Sequence, residues 1–235
     1  MAVERKPLVA AVIAAAGVSR RMGWDKQLMP LGGMPVILHT LRAFECCPAV
    51  DRVVVAAREE AIPDLLRLVR DCGLKKVRSV VRGADSRQAS VLAGVMAAGE
   101  ADFYCVHDGA RPLVTPEEIQ RVTEDAFRFG AAALGVPVRD TVKRVRDGMI
   151  CATVDRQGLY LIQTPQVFAA QAYLKACALA GQQGRDYTDD CQLMEAAGFA
   201  VHLTEGSPEN LKLTAPQDVR LAQALLAARW EEEEA

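Results

Sequence analysis

The chain has 235 residues, 51% hydrophobic and 25% charged, which suits a globular protein with a substantial core. Its formal net charge of -2 excludes a surface coated in basic charge for nucleic acid, so any cationic site must be local. No apolar run reaches the ~18–20 residues that a membrane-spanning helix needs.

The N-terminus, "MAVERKPLVAAVIAAAG", shares a charge and an apolar run with signal peptides. That run flows into "GVSRRMG" without a processing boundary, so a first core strand and a cytoplasmic location are expected. Short β-rich runs then alternate with helical patterns. "LVAAVIA" reads as a strand, "PVILHTLRAFE" as a helix and "RVVVAA" as a strand. They are followed by "IPDLLRLVRDCG" (helix), "KVRSVV" (strand), "RQASVLAGVMAAG" (helix) and "DFYCVHD" (strand). "TPEEIQRVTEDAFRFG" and "AAALGVPV" add one more helix and strand. This alternation predicts an α/β fold with a mostly parallel sheet covered on both faces.

The pattern breaks between Arg139 and Leu161, where "DG" sits between two short alternating segments. That is a hairpin signal, and its polarity predicts an arm projecting from a single domain of residues 1–235. Three further helices are expected in "AAQAYLKACALAG", "TDDCQLMEAAG" and "APQDVRLAQALLAARW", with "AVHLTEG" and "NLKLT" as short strands between the last two. The final "EEEEA" reads as a solvated tail, since acidic residues oppose the dipole at a helix C-terminus. The seven cysteines show no C-x-x-C spacing and suit a reducing compartment, mostly as small buried apolar residues. They give no sign of a structural metal site.

Ligands of open α/β sheets bind beyond the carboxyl ends of strands. Three unusual loops fall there: "AAGVSRRMGWDK", "RGADSRQAS" and "HDGARP". The first has neither the glycine spacing of a dinucleotide fingerprint nor the lysine of a P-loop, since Trp24 stands in its place. It does combine small residues, Ala15, Ala16 and Gly17, with Arg20, Arg21 and Lys26. Backbone N–H groups with adjacent cations make a polyphosphate cradle, although a solvated basic loop fits the same residues. In the third loop, Asp108 is followed by the small residues Gly109 and Ala110, then Arg111. His107 reads as a satisfied histidine at a strand end, and Asp108 as either a turn cap or a ligand contact.

The ordered set "AAGVSRRM", "DKQ", "SVLAG", "VHDGARP", "VPVRDTVKR", "TVDRQGLYLIQTPQVF", "YTDD" and "EGSPENLKLT" resembles the 2-C-methyl-D-erythritol 4-phosphate cytidylyltransferase family over nearly the whole chain. The resemblance implies a nucleotide-diphospho-sugar transferase-like fold and a homodimer formed by exchange of β-arms, here 139–161. It implies transfer of CMP from CTP to the polyol phosphate, with pyrophosphate released, in non-mevalonate isoprenoid synthesis. Mg²⁺ is the implied cofactor, held mainly by the nucleotide phosphates, with its protein ligands undetermined. By the same resemblance, Ala15, Ala16 and Gly17 contact the triphosphate and nucleotide, and Arg21 and Lys26 stabilise the transferring α-phosphate. Ala84, Asp85 and Ser90 meet cytosine and ribose, and Gly109 lies against the nucleotide. Asp108 faces the alcohol substrate, while Arg111, Thr141, Arg156, Thr164, Thr188 and Lys212 lie near its phosphate; Arg156 and Lys212 count with Arg21 and Lys26 as the catalytic cations. Ser19, Ala84 and Gly109 depart from the usual residues by small-for-small changes.

A phosphate nucleophile is largely dianionic at neutral pH, its second pKa being about 6, so no general base is required. Positioning and cations then carry the reaction. A ribitol 5-phosphate cytidylyltransferase and a non-catalytic nucleotide-binding regulator are the alternatives. "AAAG" and "VRDTVKR" favour the methylerythritol enzyme over the ribitol one.

Overall fold

A computed structural model describes residues 5–17 and 27–234. The first strand, β1 (Val9–Ala15), is followed by a minimal hairpin of β2 (Pro30–Leu31) and β3 (Met34–Pro35). Helix α1 (Val36–Cys46), β4 (Arg52–Ala57), α2 (Ile62–Asp71), β5 (Val77–Arg82), α3 (Arg87–Ala98) and β6 (Phe103–Asp108) continue the alternation. Next come α4 (Pro116–Phe129), β7 (Ala131–Pro137), the pair β8 (Val142–Arg146) and β9 (Met149–Val154), and β10 (Tyr160–Ala169). The chain ends with α5 (Ala170–Gln183), α6 (Asp190–Ala196), β11 (His202–Glu205) and α7 (Pro216–Glu234).

Seven strands form one sheet in the order β11-β7-β10-β6-β1-β4-β5. Only β10 runs against its neighbours, pairing antiparallel with both β6 and β7. Side chains of β1 alternate strictly between two cores. Val9, Ala11, Ile13 and Ala15 face one with α1, α2 and α4, and Ala10 and Val12 face the other with α3, α5 and α6. Burial on both faces explains why this strand reads as a continuous apolar run. Each fully buried Ile, Leu or Phe contributes about 1.5–3 kcal/mol before entropy is counted. A third, smaller core lies under α7, where Ala222 and Leu226 cover Leu31, Leu113 and Leu213.

Local chemistry sets the helix ends. The Ser86 side chain accepts from Ala89 N–H to open α3, and Thr115 with Glu118 forms a full capping box before α4. Asp189 caps α6 in the same way as Ser86 caps α3. The β8–β9 turn has Asp147 and Gly148 at φ 49° and 79°, the mirror-image geometry that "DG" signals.

Three expectations need correction, and one strand was not anticipated. The hairpin itself is Val142–Val154, and Tyr160 and Leu161 already belong to the main sheet, paired with Pro137 and Val136. Residues 162–168, which carry no sequence signal of their own, continue as that central strand. "NLKLT" is no strand: its Leu213 N–H donates to the Ala110 carbonyl, and the segment forms no ladder. The acidic tail continues α7 to Glu234 instead of ending it at Trp230.

Sheet and helix meet most closely at Gly94 of α3, where a Cβ would stand 2.4 Å from Val12 Cγ1. Valine is stiff at χ1 and cannot swing away. Overpacking costs ~1–3 kcal/mol and alanine's helix propensity returns ~1, so Gly94→Ala is expected to destabilise by about 1 kcal/mol. In thermal unfolding, the Gly94→Ala/Val12→Ala double variant should then be more stable than the sum of its single effects.

Candidate active site

The sheet reverses its winding between β1 and β6: β4 and β5 lie to one side of β1, and β6 to the other. Beyond the carboxyl ends of these strands opens a cavity of about 430 Å³. Its wall includes Ala16 and Gly17 after β1, Ala84 and Asp85 after β5, Asp108 at the end of β6, and Lys212. Segments expected to share a site from their strand-end positions are thus brought together.

Close backbone approach builds the nucleotide side of this cavity. A Cβ on Gly83 would stand 2.3 Å from Ala16 Cβ, so the loops after β1 and β5 touch only because position 83 is glycine. Ser90 is buried, and its hydroxyl accepts from Ala84 N–H at 2.9 Å and lies 3.0 Å and 2.8 Å from the Ala84 and Ser86 carbonyls. Its visible work is to fix the 83–86 loop. The Ala15 side chain points into the core between two residues, Ala14 and Ala16, that line the cavity. Gly109 lies under the wall, where a Cβ would meet Ile37 Cδ1 at 2.8 Å and Gln27 Oε1 at 2.9 Å. Both are ends of flexible side chains, so the alanine usual in the resembled motif is accommodated by small shifts.

Asp108 is the electrostatic centre. It is 7% exposed, with Oδ2 2.6 Å from Lys212 Nζ and Oδ1 3.1 Å from Arg87 Nε. Burial opposes its charge, but Arg87, Lys212 and Arg111 outweigh that and hold the carboxyl well below the usual range. Arg87 also reaches Asp190, Nη1 to Oδ2 at 2.7 Å, and these carboxylates raise its already high pKa against the effect of burial. Arg111 is half-buried and donates to the Asn210 carbonyl at 2.7 Å. Arg87, Lys212 and Arg111 thus surround Asp108, while the rest of the cavity wall carries Arg58 and Arg82 beside Glu59, Glu60 and Asp85.

A register shift in β10 between Ile162 and Gln166 brings Thr164 against β6. Its Oγ1 accepts from the Asp108 backbone N–H at 3.0 Å and lies 3.1 Å from His107 Nδ1. His107 Nε2 sits 3.3 Å from the Arg111 carbonyl, which can only accept, so Nε2 carries the proton and Nδ1 accepts from Thr164. Burial, with Arg111 nearby, lowers the His107 pKa to about 3 despite the opposing pull of Asp108. His107 is a neutral, enclosed strut, as its position at a strand end suggests.

The remaining expected residues lie apart from this cluster. Thr141 and Arg156 are exposed beside the hairpin, where Arg156 donates to the Arg139 carbonyl. Thr188 is exposed before α6, its hydroxyl 3.1 Å from Gln192 Oε1. Arg21 and Lys26 lie outside the described residues, as does Ser19. Sequence reasoning leaves out Arg87 and Gly83, although both stand in the quoted loop "RGADSRQAS". Nothing local marks Arg87, whose carboxylate partners are 21 and 103 residues away. Among the described residues, no group of three His, Cys, Asp or Glu side chains could hold a metal. Asp85 is an exposed carboxylate on the cavity wall.

A depressed histidine pKa has a definite sign in stability. Between pH ~6.5 and about 3 the unfolded chain takes up a proton that folded His107 refuses, so this group's contribution is complete above ~6.5 and declines on acidification. In urea titrations over that window, His107→Gln is expected to reduce the pH slope of unfolding free energy by about 1.4 kcal/mol per pH unit. An unchanged slope would mean that His107 titrates normally.

Comparison with known proteins identifies the family of the chain as a whole. The family model for 2-C-methyl-D-erythritol 4-phosphate cytidylyltransferase matches residues 9–228. A protein of that name from Pelotomaculum thermopropionicum is 44% identical over 226 residues, spanning 94% of this chain and 95% of its own. One from Syntrophotalea carbinolica is 45% identical over 220 residues, 92% of this chain and 94% of its own. The crystal structure of the Thermus thermophilus protein of that name superposes with a TM-score of 0.78 at 34% identity, covering 92% of this chain and 98% of that one. With the fold, the strand-end cavity and the matched span in agreement, this chain belongs to the 2-C-methyl-D-erythritol 4-phosphate cytidylyltransferase family.

Proposed function

We propose that the cavity beyond the carboxyl ends of β1, β4, β5 and β6 transfers CMP from CTP to 2-C-methyl-D-erythritol 4-phosphate. The observation that carries this reading is the buried Asp108 carboxylate with Lys212, Arg87 and Arg111 gathered around it, beside a wall of small residues. Two polyanions must meet in this reaction, and cations held in place lower the cost of bringing them together. A phosphate oxygen of the acceptor attacks the α-phosphorus of CTP. The bond from that phosphorus to the bridging oxygen breaks, and pyrophosphate leaves with the electron pair. No proton need be removed, which accords with a neutral, enclosed His107.

In this reading Ala15, Ala16, Gly17 and Gly109 lie along the nucleotide, Ala84 and Asp85 face the base and ribose, and Ser90 holds their loop. Asp108 orients the acceptor, with Thr164 behind it. Lys212, Arg21 and Lys26 neutralise the phosphates. Arg111 and Thr188, with Thr141 and Arg156 from an arm, complete the acceptor-phosphate pocket. Mg²⁺ would add charge neutralisation at the phosphates when bound. The donor set fits a cation carried in on the nucleotide: phosphate oxygens and water would fill most of its shell, with Asp85 an exposed carboxylate within the same wall.

The arm also supports a homodimer. Val145, Met149 and Ile150 on the hairpin, and Leu161 and Ile162 beside it, are 41–72% exposed, an apolar content that a solvated arm does not need. A second copy of this chain is the proposed cover, through exchanged arms within a single-domain subunit of residues 1–235. No described helix is long and apolar enough to cross a membrane, and a cytoplasmic location is part of the proposal.

Pyrophosphate release from CTP and Mg²⁺ tests the reaction. Turnover is expected with 2-C-methyl-D-erythritol 4-phosphate and not with ribitol 5-phosphate; equal turnover would refute the acceptor assignment. The arm assignment has its own test. Lys212→Met and Arg156→Met are each expected to lose ~10²–10³-fold in kcat. After subunit exchange of equal amounts, about half the dimers are mixed and about a quarter of all sites are intact, so activity should return in that proportion. Heterodimers confirmed by mass spectrometry but lacking activity would show that Arg156 does not serve the partner's site.

A further inference from the structure

Arg87 opens α3 with its guanidinium 24% exposed, and it bridges two carboxylates that come from distant parts of the chain. One is Asp108 at the end of β6. The other is Asp190, 1% exposed, whose second oxygen lies 2.5 Å from the hydroxyl of fully buried Tyr173. Both Asp190 oxygens are thereby engaged. Asp190 is also the first residue of α6, and its neighbours tie that helix end to β10. Gln166 Nε2 donates to Asp189 Oδ2 at 3.2 Å, and Gln166 Oε1 accepts from Cys191 N–H at 3.2 Å. Thr188 stands immediately before this anchored turn.

Burying such a network is a poor way to gain stability, because desolvation consumes most of the Coulombic gain. It is a good way to fix geometry. A guanidinium presents separate donors in a rigid fork, and here one edge takes Asp108 while the other takes Asp190. A lysine ammonium has no such fork. With one Asp108 oxygen held by Arg87, the carboxylate's charge is shared, and Lys212 is not its sole counter-ion.

We propose that Arg87, aimed by Asp190, is a positioning residue for the polyol-phosphate acceptor: it fixes the Asp108 carboxylate and leaves Lys212 able to turn toward a phosphate. This deepens the proposed function and rests on Asp108 as the acceptor-facing carboxylate. Arg87 acts through Asp108 and not by reading the nucleotide, although it also borders the cavity.

The test is a mutant cycle in steady-state pyrophosphate release, with the KM of each substrate measured separately. Arg87→Met alone would strand a buried Asp190 charge. It is therefore combined with Asp190→Asn, which keeps an oxygen for the Tyr173 hydroxyl. The Arg87→Met/Asp190→Asn variant is expected to raise the acceptor KM about tenfold while the CTP KM stays within about twofold. Adding Asp108→Asn should give a protein no worse than Asp108→Asn alone, within about twofold, because both changes remove one arrangement. Additive losses, or a CTP KM that rises in place of the acceptor KM, would overturn the proposal. If the paired variant does not fold by near-ultraviolet circular dichroism, Asp190→Asn alone is measured. It should raise the acceptor KM about threefold, and an unchanged value would overturn the proposal. An Asp108→Asn protein with a normal acceptor KM would instead refute the parent role of Asp108, and this proposal with it.

Discussion

Asp108 carries a negative charge while only 7% exposed on the cavity wall, and the surrounding structure is organised to make that tolerable. An unpaired buried carboxylate would protonate or unfold its surroundings. Here Lys212 arrives from the segment after β11, Arg87 from the start of α3, and Arg111 from the loop after β6. Thr164 fixes the Asp108 backbone from β10, and neutral His107 closes the network beneath it. Each of these groups depends on a different sheet neighbour or helix end. The strand order, the β10 irregularity and the α6 cap are therefore part of the site as much as of the fold.

The same arrangement gathers cations in one place within a chain of net charge -2. Arg87, Lys212 and Arg111 are gathered by the fold around Asp108, while Arg58 and Arg82 stand with Glu59, Glu60 and Asp85 on the rest of the wall. Small residues supply the other half. Gly83 against Ala16, with Gly17 on the rim, lets two loops converge and leaves backbone on the wall of the cavity. The proposed nucleotidyl transfer, which requires no general base, asks for cations held in place in this way.

Much of this was legible in the sequence because period and punctuation agree along most of the chain. Strands β1 and β4 to β7 and the helices α1 to α4 lie within a residue or two of their apolar runs and caps, and loops at the strands' carboxyl ends meet, whereas the two-residue strands β2 and β3 carry no such run. Legibility failed where tertiary context overrides local rules. Pro165 argues against a central strand, yet β10 carries it at an irregularity where ladder pairing is interrupted. "NLKLT" alternates like a strand but serves to deliver Lys212, held to the body by Leu213 and Ala110 instead of by a ladder. Arg87 gave no signal because its meaning lies in partners far away along the chain. Ser90, expected at the base, is seen holding the loop that would meet it. The β8–β9 hairpin was visible from its "DG" turn, but the strand that follows it was not.

In the proposed reading, one cavity at the β1/β6 switch receives the nucleotide, with charged groups arranged around Asp108. A crystal structure with CTP and Mg²⁺ bound tests it most directly. The expected result places the triphosphate along Ala16 and Gly17, the base against Ala84 and Asp85, and Lys212 turned from Asp108 toward a phosphate oxygen while Arg87 keeps its grip on both carboxylates. Nucleotide bound away from these loops, or Asp108 and Lys212 both remote from the phosphates, would contradict it.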